Sequence, residues 1–345
     1  MMRSKAIHFR NGRVSGDVSL LGGMLGPAEF LLPDNRAVQP FSVAPWIQDP
    51  RALLDTIPPI LQNMRGEWPC VPFGVPELRT DLPTEWLQGL DSVESINDAF
   101  VHGFSANHVW TDLSTSSQEV ALAINYPPDH PVRKLSRTIS VSNNNQLDFD
   151  LVIETDEPVE LPIGIHTVFK LPNKPGRGKL IIDSFKKAHT FPVSVEANTS
   201  VLEPNQQVGD LKRILRLDGR SVDLTSLPLA DDTEELVLLE LSEGTVKLQN
   251  YDELYEVVFT WDIKQFPSCL LWISNCGRES YPWNKRFQAI GIEPIAAAFD
   301  LGVIHSRNVS SPLQKMAIKT SCSLTGHDRF SYQIAVNSID AQGRP

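Results

Sequence analysis

Three segments of the sequence carry ionisable side chains in apolar or glycine-rich surroundings, where they could transfer protons. The first is VHGFSANHVW at residues 101–110, where His102 precedes a glycine and is followed by Asn107 and Trp110. An imidazole and an amide can bind hydroxyl groups, and an indole offers a flat apolar surface, which together suit a sugar ring. His102 and His108 are also compatible with partly buried structural histidines at strand ends.

The second segment is LPIGIHTVFK at residues 161–170. Alternation along a strand puts His166 on the same face as Gly164 and opposite to Ile165. Because Gly164 has no side chain, we expect room for a ligand beside the imidazole, whose ordinary pKa near neutrality allows it to donate a proton. The alternative is a histidine bonded to a backbone carbonyl in a second buried layer.

The third segment is AIGIEPIAAAF at residues 289–299, where Glu293 is a single carboxylate among apolar residues. A lone carboxylate buried without partners would cost several kcal/mol, so Glu293 needs hydrogen-bond donors or an aqueous pocket. Alternation places it opposite to Ile290 and Ile292, and Pro294 predicts a strand end or edge. A solvated carboxylate is ionised at neutral pH, which makes Glu293 a candidate proton acceptor.

Composition and motifs exclude several other classes of function. The sequence contains no G-x-S-x-G, H-E-x-x-H, Walker or G-x-G-x-x-G motif, so hydrolase, zincin and nucleotide-binding functions have no local support. The net charge of −11 disfavours nucleic acids and anionic membranes as partners, because phosphates are bound by clustered Lys and Arg. We expect neither a metal nor a cofactor. The cysteines lack metal or disulfide spacing; they are Cys70, Cys269, Cys276 and Cys322.

The elements that must position these residues are mainly strands. Apolar residues alternate with polar ones at 147–154, 255–261 and 330–336, as in strands with one buried face. Residues 138–142 and the polar turn 143–146 complete a hairpin with the first of these strands. The 26 prolines and 20 glycines punctuate short runs, which favours an antiparallel all-β sandwich or barrel with few short helices.

The clearest helix candidate begins at residues 49–50, with Leu53, Leu54 and Ile57 facing inward, and the two prolines at 58–59 end or kink it. No linker or internal repeat divides the chain, so we expect one β-sandwich domain over residues 1–345 with a loose tail from about 338. The start of the chain lacks the apolar region of a signal peptide, and no apolar run could span a membrane. We therefore expect a cytoplasmic protein.

At these segments the chain resembles the galactose mutarotase-like (aldose 1-epimerase) superfamily, most closely its hexose-6-phosphate mutarotase (glucose-6-phosphate 1-epimerase) branch. The H-G-F-x-R-N-x-x-W motif of that branch matches residues 102–110 at every fixed position but one, since Ala106 replaces the arginine. The runs GIHTVF at 164–169 and GIEP at 291–294 are similar to its histidine and glutamate signatures, in the same order. The run MRGEWPCVPFG at 64–74 looks like its arginine-containing segment.

The resemblance implies a β-supersandwich and an isomerase that interconverts α and β anomers of a hexose or related sugar without a metal. In family terms Glu293 takes the proton of the C1 hydroxyl and His166 gives one to the ring oxygen, which opens the ring. The resemblance assigns sugar binding to His102, Arg65, Asn107 and Glu234, with Asp232 as an alternative to Glu234.

Other functions stay open at this point. A carbohydrate-binding protein without catalysis is the main alternative, since one fold can serve both uses, although the presence of both His166 and Glu293 favours an enzyme. A cupin-like metal enzyme would need an H-x-H spacing, which the sequence lacks. A glycoside hydrolase would need a second carboxylate beside Glu293. Ala106 removes a cation that could bind phosphate, so phosphorylation of the substrate is undecided, as is the oligomeric state.

Overall fold

The computed structural model describes residues 5–142, 145–340 and 342–343, and most of its regular structure is β-strand. In chain order the strands are β1 (Ala6–Asn11), β2 (Val14–Ser19), β3 (Leu25–Leu31), β4 (Ala37–Val38), β5 (Glu67–Cys70), β6 (Thr111–Asp112), β7 (Glu119–Asn125), β8 (Val132–Val141), β9 (Gln146–Thr155), β10 (Val159–Leu161), β11 (Ile163–Lys170), β12 (Gly178–Ile181), β13 (Phe185–Thr190), β14 (Gln207–Val208), β15 (Ile214–Leu215), β16 (Ser221–Val222), β17 (Ser226–Leu227), β18 (Thr233–Leu241), β19 (Thr245–Asn250), β20 (Tyr255–Trp261), β21 (Ser268–Asn275), β22 (Gln288–Ala296), β23 (Cys322–Leu324) and β24 (His327–Ser338).

The described helices are short. They are α1 (Arg51–Leu54), α2 (Pro59–Gln62), α3 (Thr84–Leu87), α4 (Phe104–Asn107), α5 (Gly302–Arg307) and α6 (Pro312–Lys315), with 3-10 helices at Pro45–Gln48, Leu90–Ser92 and Leu211–Arg213. Within the described residues, none of them has the length and apolar character that crossing a membrane requires.

The strands of the described chain form two large sheets with antiparallel ladders. The first sheet has 11 strands, in the order β1-β2-β3-β5-β11-β22-β21-β18-β13-β14, and β4 pairs with β3. The second has nine strands, in the order β17-β12-β19-β20-β24-β9-β8-β7-β6. The predicted all-β architecture with few short helices is therefore confirmed.

The first sheet is buried on both faces at its centre. One face, with Ile165 and Leu271, packs against the second sheet in the larger apolar core. The other face, with Val168 and Leu270, packs against the segment that carries α1 and α2, where Trp46 and Ile60 belong to the same cluster. Because both faces are covered, β11, β18, β21 and β22 are nearly continuous buried runs.

The second sheet has one buried and one more exposed face, which explains its regular alternation. The predicted strands at 147–154, 255–261 and 330–336 are confirmed as β9, β20 and β24. The predicted hairpin is confirmed as the β8–β9 ladder, although residues 143–144 of its turn lie outside the described residues. Of the expected tail, residues 341 and 344–345 also lie outside them, while Ile339 is buried next to the end of β24.

The predicted helix near residues 49–50 is shorter than the pattern indicated. It is reduced to α1, in which Leu54 is buried but Leu53 is 46% exposed, so the inward orientation predicted for Leu53 is wrong. Adjacent helical residues point about 100° apart, and α1 packs with Leu54 toward the core and Leu53 toward solvent. Ile57 lies beyond the end of α1 and is partly buried against the same cluster as Trp46. Pro59 begins the separate helix α2, so the helix predicted from residues 49–50 does not continue past the two prolines, as expected.

A buried ion pair joins the two sheets beneath β5. Arg137 on β8 is 3% exposed, and its Nη2 donates to Oε2 of Glu67 on β5 at 2.6 Å. The hydroxyl of Tyr332 on β24 donates to the other oxygen of Glu67 at 2.6 Å, and Nη1 of Arg137 donates to the carbonyl of Gly23 at 2.9 Å. The two charges therefore share hydrogen bonds that compensate for part of their desolvation.

We expect Arg137→Met to lower the free energy of unfolding by about 3–5 kcal/mol, because Glu67 would be left as an uncompensated buried charge. Arg329→Met is the matched control, since Arg329 pairs with Asp150 at the surface and its loss should cost less than about 1 kcal/mol. Urea denaturation of both variants measures the difference. Equal losses would contradict a structural role for the buried pair.

Candidate active site

Three neighbouring strands of the first sheet contribute one side chain each to a row across the sheet. On β11, His166 pairs with Trp68 of β5, and the register that pairs Val168 with Gly291 puts His166 opposite Glu293 of β22. The imidazole Nε2 lies 3.5 Å from Oε1 of Glu293. The imidazole also stacks on the indole of Trp68, with ring centroids 4.2 Å apart. The structure thus brings together the two residues predicted to transfer protons.

The row opens into a cavity of about 200 Å³ on the face of the sheet that turns away from the second sheet. Its ionisable groups cluster with three tryptophans, and the remaining lining is apolar. The ionisable residues are His102, His166, Arg278, Glu293 and Asp300; the tryptophans are Trp68, Trp272 and Trp283; the other lining residues are Pro58, Ile60, Leu61, Met64, Val75, Val101, Leu236 and Leu270.

Burial sets the protonation of the central pair. Glu293 is 1% exposed, and its desolvation raises the pKa of the carboxyl group well above its usual range, with a further contribution from the charge of Asp300. Desolvation lowers the pKa of His166 well below its usual value, and His102 adds to this effect. The surroundings therefore favour a neutral carboxyl group beside a neutral imidazole. The sequence predicted an ionised Glu293 because that prediction used the pKa of a solvated group.

Two glycines next to the pair act differently. A Cβ atom on Gly291 would lie 2.4 Å from Oε1 of Glu293 and 2.9 Å from Cβ of Trp272, so the missing side chain makes room for the carboxyl group. A Cβ atom on Gly164 would lie 2.5 Å from the ring of Phe73. The prediction that Gly164 leaves room for a ligand beside His166 is therefore wrong, because Phe73 fills that space.

The prediction that Pro294 marks a strand end or edge is also wrong. Strand β22 lies between β11 and β21 and continues to Ala296. The proline is tolerated in a central strand because its missing N–H falls where the pairing of β11 with β22 is interrupted, between Gly164–Ile295 and Val168–Gly291.

His102 reaches the cavity from a turn rather than from a strand. It has a left-handed backbone conformation with φ of 57°, and its N–H donates to the carbonyl of Gly74 at 2.7 Å. Its Nδ1 accepts a hydrogen bond from the N–H of Gly74 at 3.3 Å, which leaves Nε2 as the protonated nitrogen. Desolvation lowers the pKa of His102 to about 4, so it is a neutral hydrogen-bond donor at physiological pH.

Asn107 does not line the cavity but holds its wall in place. Its Oδ1 accepts from the N–H of Ile60 at 3.2 Å, and its Nδ2 donates to the carbonyls of Val101 and Gly103 at 2.8 and 2.9 Å. Ile60 and Val101 both line the cavity. Asn107 therefore positions two parts of the wall, while Ala106 beside it is fully buried.

Arg65 is placed in a different pocket. That pocket has a volume of about 260 Å³ and is lined also by Gln48, Arg51 and Asn63. The guanidinium of Arg65 donates to the carbonyls of Asn63 at 3.0 Å and Gly26 at 3.3 Å. Met64 faces the cavity that contains His166, and Arg65 points to the other side of the segment. The structure does not bring Arg65 to the predicted proton-transfer pair.

Glu234 acts on the cavity through its partners. It is fully buried, accepts hydrogen bonds from Trp272 Nε1 and from Ser274 Oγ, and lies 3.1 Å from Nε of Arg278. Trp272 and Arg278 line the cavity, whereas Glu234 does not. The alternative residue Asp232 is exposed and also lies outside the lining.

Sequence reasoning missed two charged residues of the cavity, Arg278 and Asp300. Each follows the end of a central strand, β21 for Arg278 and β22 for Asp300, and no motif marks either position. The guanidinium of Arg278 lies over the ring of Trp283, 4.6 Å from its centroid. Among the described residues, no group of three or more His, Cys, Asp or Glu side chains is arranged to hold a metal ion.

Comparisons with known proteins bear on the fold. No protein-family model matches the sequence, and no curated protein matches it. A protein from Synechocystis sp. PCC 6803 has a similar structure, with a TM-score of 0.63, 12% identity, and coverage of 98% of this chain and 97% of the other. The GalM/aldose epimerase homologue from C. elegans (TM-score 0.61, 13% identity, coverage 98% and 100%) and a galactose mutarotase-like protein from Lactobacillus casei (0.60, 13%, 96% and 100%) are similar too.

These likenesses extend over nearly the whole length of each chain. They show that the protein has the galactose mutarotase-like fold, as the sequence resemblance implied. At 12–13% identity they show a shared fold, and they do not single out the hexose-6-phosphate branch.

The burial of Glu293 predicts a pH dependence of stability. Its raised pKa means that the folded protein keeps a proton that the unfolded chain releases above the ordinary Glu pKa, about 4.3. We therefore expect the wild type to lose stability relative to Glu293→Gln as the pH rises from about 4.3 through the folded-state pKa. Urea denaturation over a pH series measures this, with Glu157→Gln as the control for loss of an exposed carboxylate. A stability difference independent of pH would contradict the raised pKa.

Proposed function

We propose that the protein is an aldose 1-epimerase-like isomerase that interconverts the α and β anomers of a sugar. The observation that supports this most directly is the contact of His166 with Glu293, at 3.5 Å, in a cavity lined by three tryptophans. The fold agrees with it, since proteins named as galactose mutarotase-like share this fold.

A pair of adjacent proton-transfer groups suits this reaction for a geometric reason. The ring oxygen and the C1 hydroxyl of a cyclic sugar are bonded to the same carbon, so an acid and a base that act on both must lie side by side. The positions of His166 and Glu293 on neighbouring strands meet this requirement. Positioned acids and bases contribute about 10² to 10⁴ each in rate.

In the proposed step, Glu293 accepts the proton of the C1 hydroxyl while His166 donates a proton to the ring oxygen. The bond from C1 to the ring oxygen breaks and the C1 carbonyl forms, which gives the open-chain aldehyde. The pair changes from carboxylate and imidazolium to carboxylic acid and neutral imidazole, so no proton is gained or lost overall. Rotation about the C1–C2 bond exposes the other face of the aldehyde, and the reverse transfers close the ring.

The desolvation of the pair determines how this cycle begins and ends. Burial favours the neutral forms of both residues, which are the forms present when the ring is open. The neutral pair holds the same number of protons as carboxylate and imidazolium, so transfer of the carboxyl proton from Glu293 to His166 precedes the step, and ring opening returns both residues to their neutral forms.

The other lining residues have supporting roles in this proposal. His102 donates a hydrogen bond from Nε2 to a sugar oxygen, and the tryptophans offer apolar faces for the ring. Glu234 orients Arg278, and Asn107 orients the wall that contains Ile60. We assign no contact with the sugar to Arg65, because its guanidinium lies in the other pocket.

Polarimetry of freshly dissolved aldoses, with parallel NMR of the anomeric protons, tests the proposal. We expect the wild type to accelerate mutarotation and Glu293→Gln or His166→Gln to reduce that acceleration by at least about 10²-fold. The exposed residues Glu157 and His8 provide matched controls, and Glu157→Gln and His8→Gln should retain full activity.

The alternative is a sugar-binding protein without catalysis. Calorimetric binding of a sugar without any acceleration, across a panel of aldoses and their 6-phosphates, would overturn the enzymatic proposal and favour this alternative. If the exposed control variants lost as much activity as the cavity variants, the proton-transfer roles proposed for His166 and Glu293 would be contradicted.

A further inference from the structure

One wall of the cavity is apolar throughout. The segment from residue 58 to residue 64 carries α2 and lines the same cavity as His166 and Glu293. Its side chains in the cavity contain no oxygen or nitrogen atoms; they are Pro58, Ile60, Leu61 and Met64.

Backbone groups of this wall are already paired within the protein. The carbonyl of Pro58 accepts from the N–H of Leu61 at 2.9 Å, and the carbonyl of Leu61 accepts from Nε1 of Trp46 at 2.7 Å. The N–H of Ile60 donates to Asn107, and the carbonyl of Met64 accepts from the N–H of Ala44 at 3.0 Å. A hydroxyl group pressed against this wall would lose its water and gain few partners.

The hydrogen-bonding groups of the cavity come from other segments. His166 and Glu293 are committed to the ring oxygen and the C1 hydroxyl in the proposed function. His102, Arg278 and Asp300 remain for the other hydroxyl groups of the sugar. The ligand thus meets polar groups on one side and an apolar wall on the other.

We propose that the substrate is an uncharged deoxy sugar, in which a methyl group replaces a hydroxymethyl group and contacts the apolar wall. This inference rests on the proposed function and names its substrate class. Burial of a methyl group against Ile60 and Met64 is favourable, whereas a hydroxyl group there would lack a partner.

The charges of the cavity disfavour a phosphorylated sugar. Among the described residues that line the cavity, Arg278 is the one arginine, and none is a lysine. Its Nε already lies 3.1 Å from Oε1 of Glu234 and 3.3 Å from Oε1 of Glu196. Asp300 and Glu293 place two further carboxyl groups on the lining. A phosphate dianion would therefore compete with Glu234 and Glu196 for the one guanidinium of the described lining.

A pair of sugars that differ at one atom tests the inference. D-fucose is D-galactose without the C6 hydroxyl group, so the two sugars present the same ring and differ only in the methyl group. We expect kcat/KM for mutarotation to be about 10- to 100-fold higher for D-fucose. Equal values, a preference for D-galactose, or faster turnover of D-galactose 6-phosphate would overturn the inference.

A variant of the wall sharpens the test. Met64→Gln keeps the length of the side chain and adds an amide that can bind the C6 hydroxyl, so the preference for D-fucose should fall towards parity. Met316→Gln is the matched control, because Met316 is 37% exposed and lies outside the cavity lining, and it should keep the wild-type preference. If Met64→Gln does not fold, the comparison of the two sugars with the wild type decides.

Calorimetric binding separates this inference from the proposed function. Tighter binding of D-fucose than of D-galactose without any acceleration would overturn the enzymatic function and support the inference about the ligand. Acceleration of both sugars without a preference for D-fucose would support the enzymatic function and overturn the inference.

Discussion

The contact between His166 and Glu293 is the interaction on which the candidate site depends. Antiparallel pairing of β11 with β22 puts the two residues opposite each other, although they are far apart in the sequence. The absence of a side chain at Gly291 gives the carboxyl group its space, and the indole of Trp68 supports the imidazole from the neighbouring strand. A shift of β22 by one residue would turn Glu293 into the core between the sheets.

Burial gives this contact its chemical character. The first sheet is covered on both faces, so polar groups at its centre must be paired or reach a cavity. On the face that packs against the second sheet, Glu67 is paired with Arg137 and Tyr332. On the opposite face, Glu293 and His166 contact each other and line the cavity. Neighbouring strands of the first sheet therefore contribute to a charged pair that is saturated with hydrogen bonds and to a neutral pair that can still exchange protons.

Strand alternation predicted most of the strands and the faces of His166 and Glu293, because the period of two determines which face a side chain occupies; their joint role came from the family resemblance. It placed His166 and Glu293 on the faces that they occupy. It could not place Arg65, whose segment turns away from the cavity, or find Arg278 and Asp300, which lie beyond strand ends. The raised pKa of Glu293 could not be predicted either, because it depends on burial by the segments that pack on the sheet, and the sequence does not specify which segments these are.

A crystal structure of Glu293→Gln with a bound aldose tests the central claim most directly. We predict a sugar in the cavity with its ring oxygen about 2.6–3.2 Å from Nε2 of His166 and its C1 hydroxyl at a similar distance from the side chain at position 293. A sugar bound with C1 remote from both side chains, or bound outside this cavity, would contradict the account.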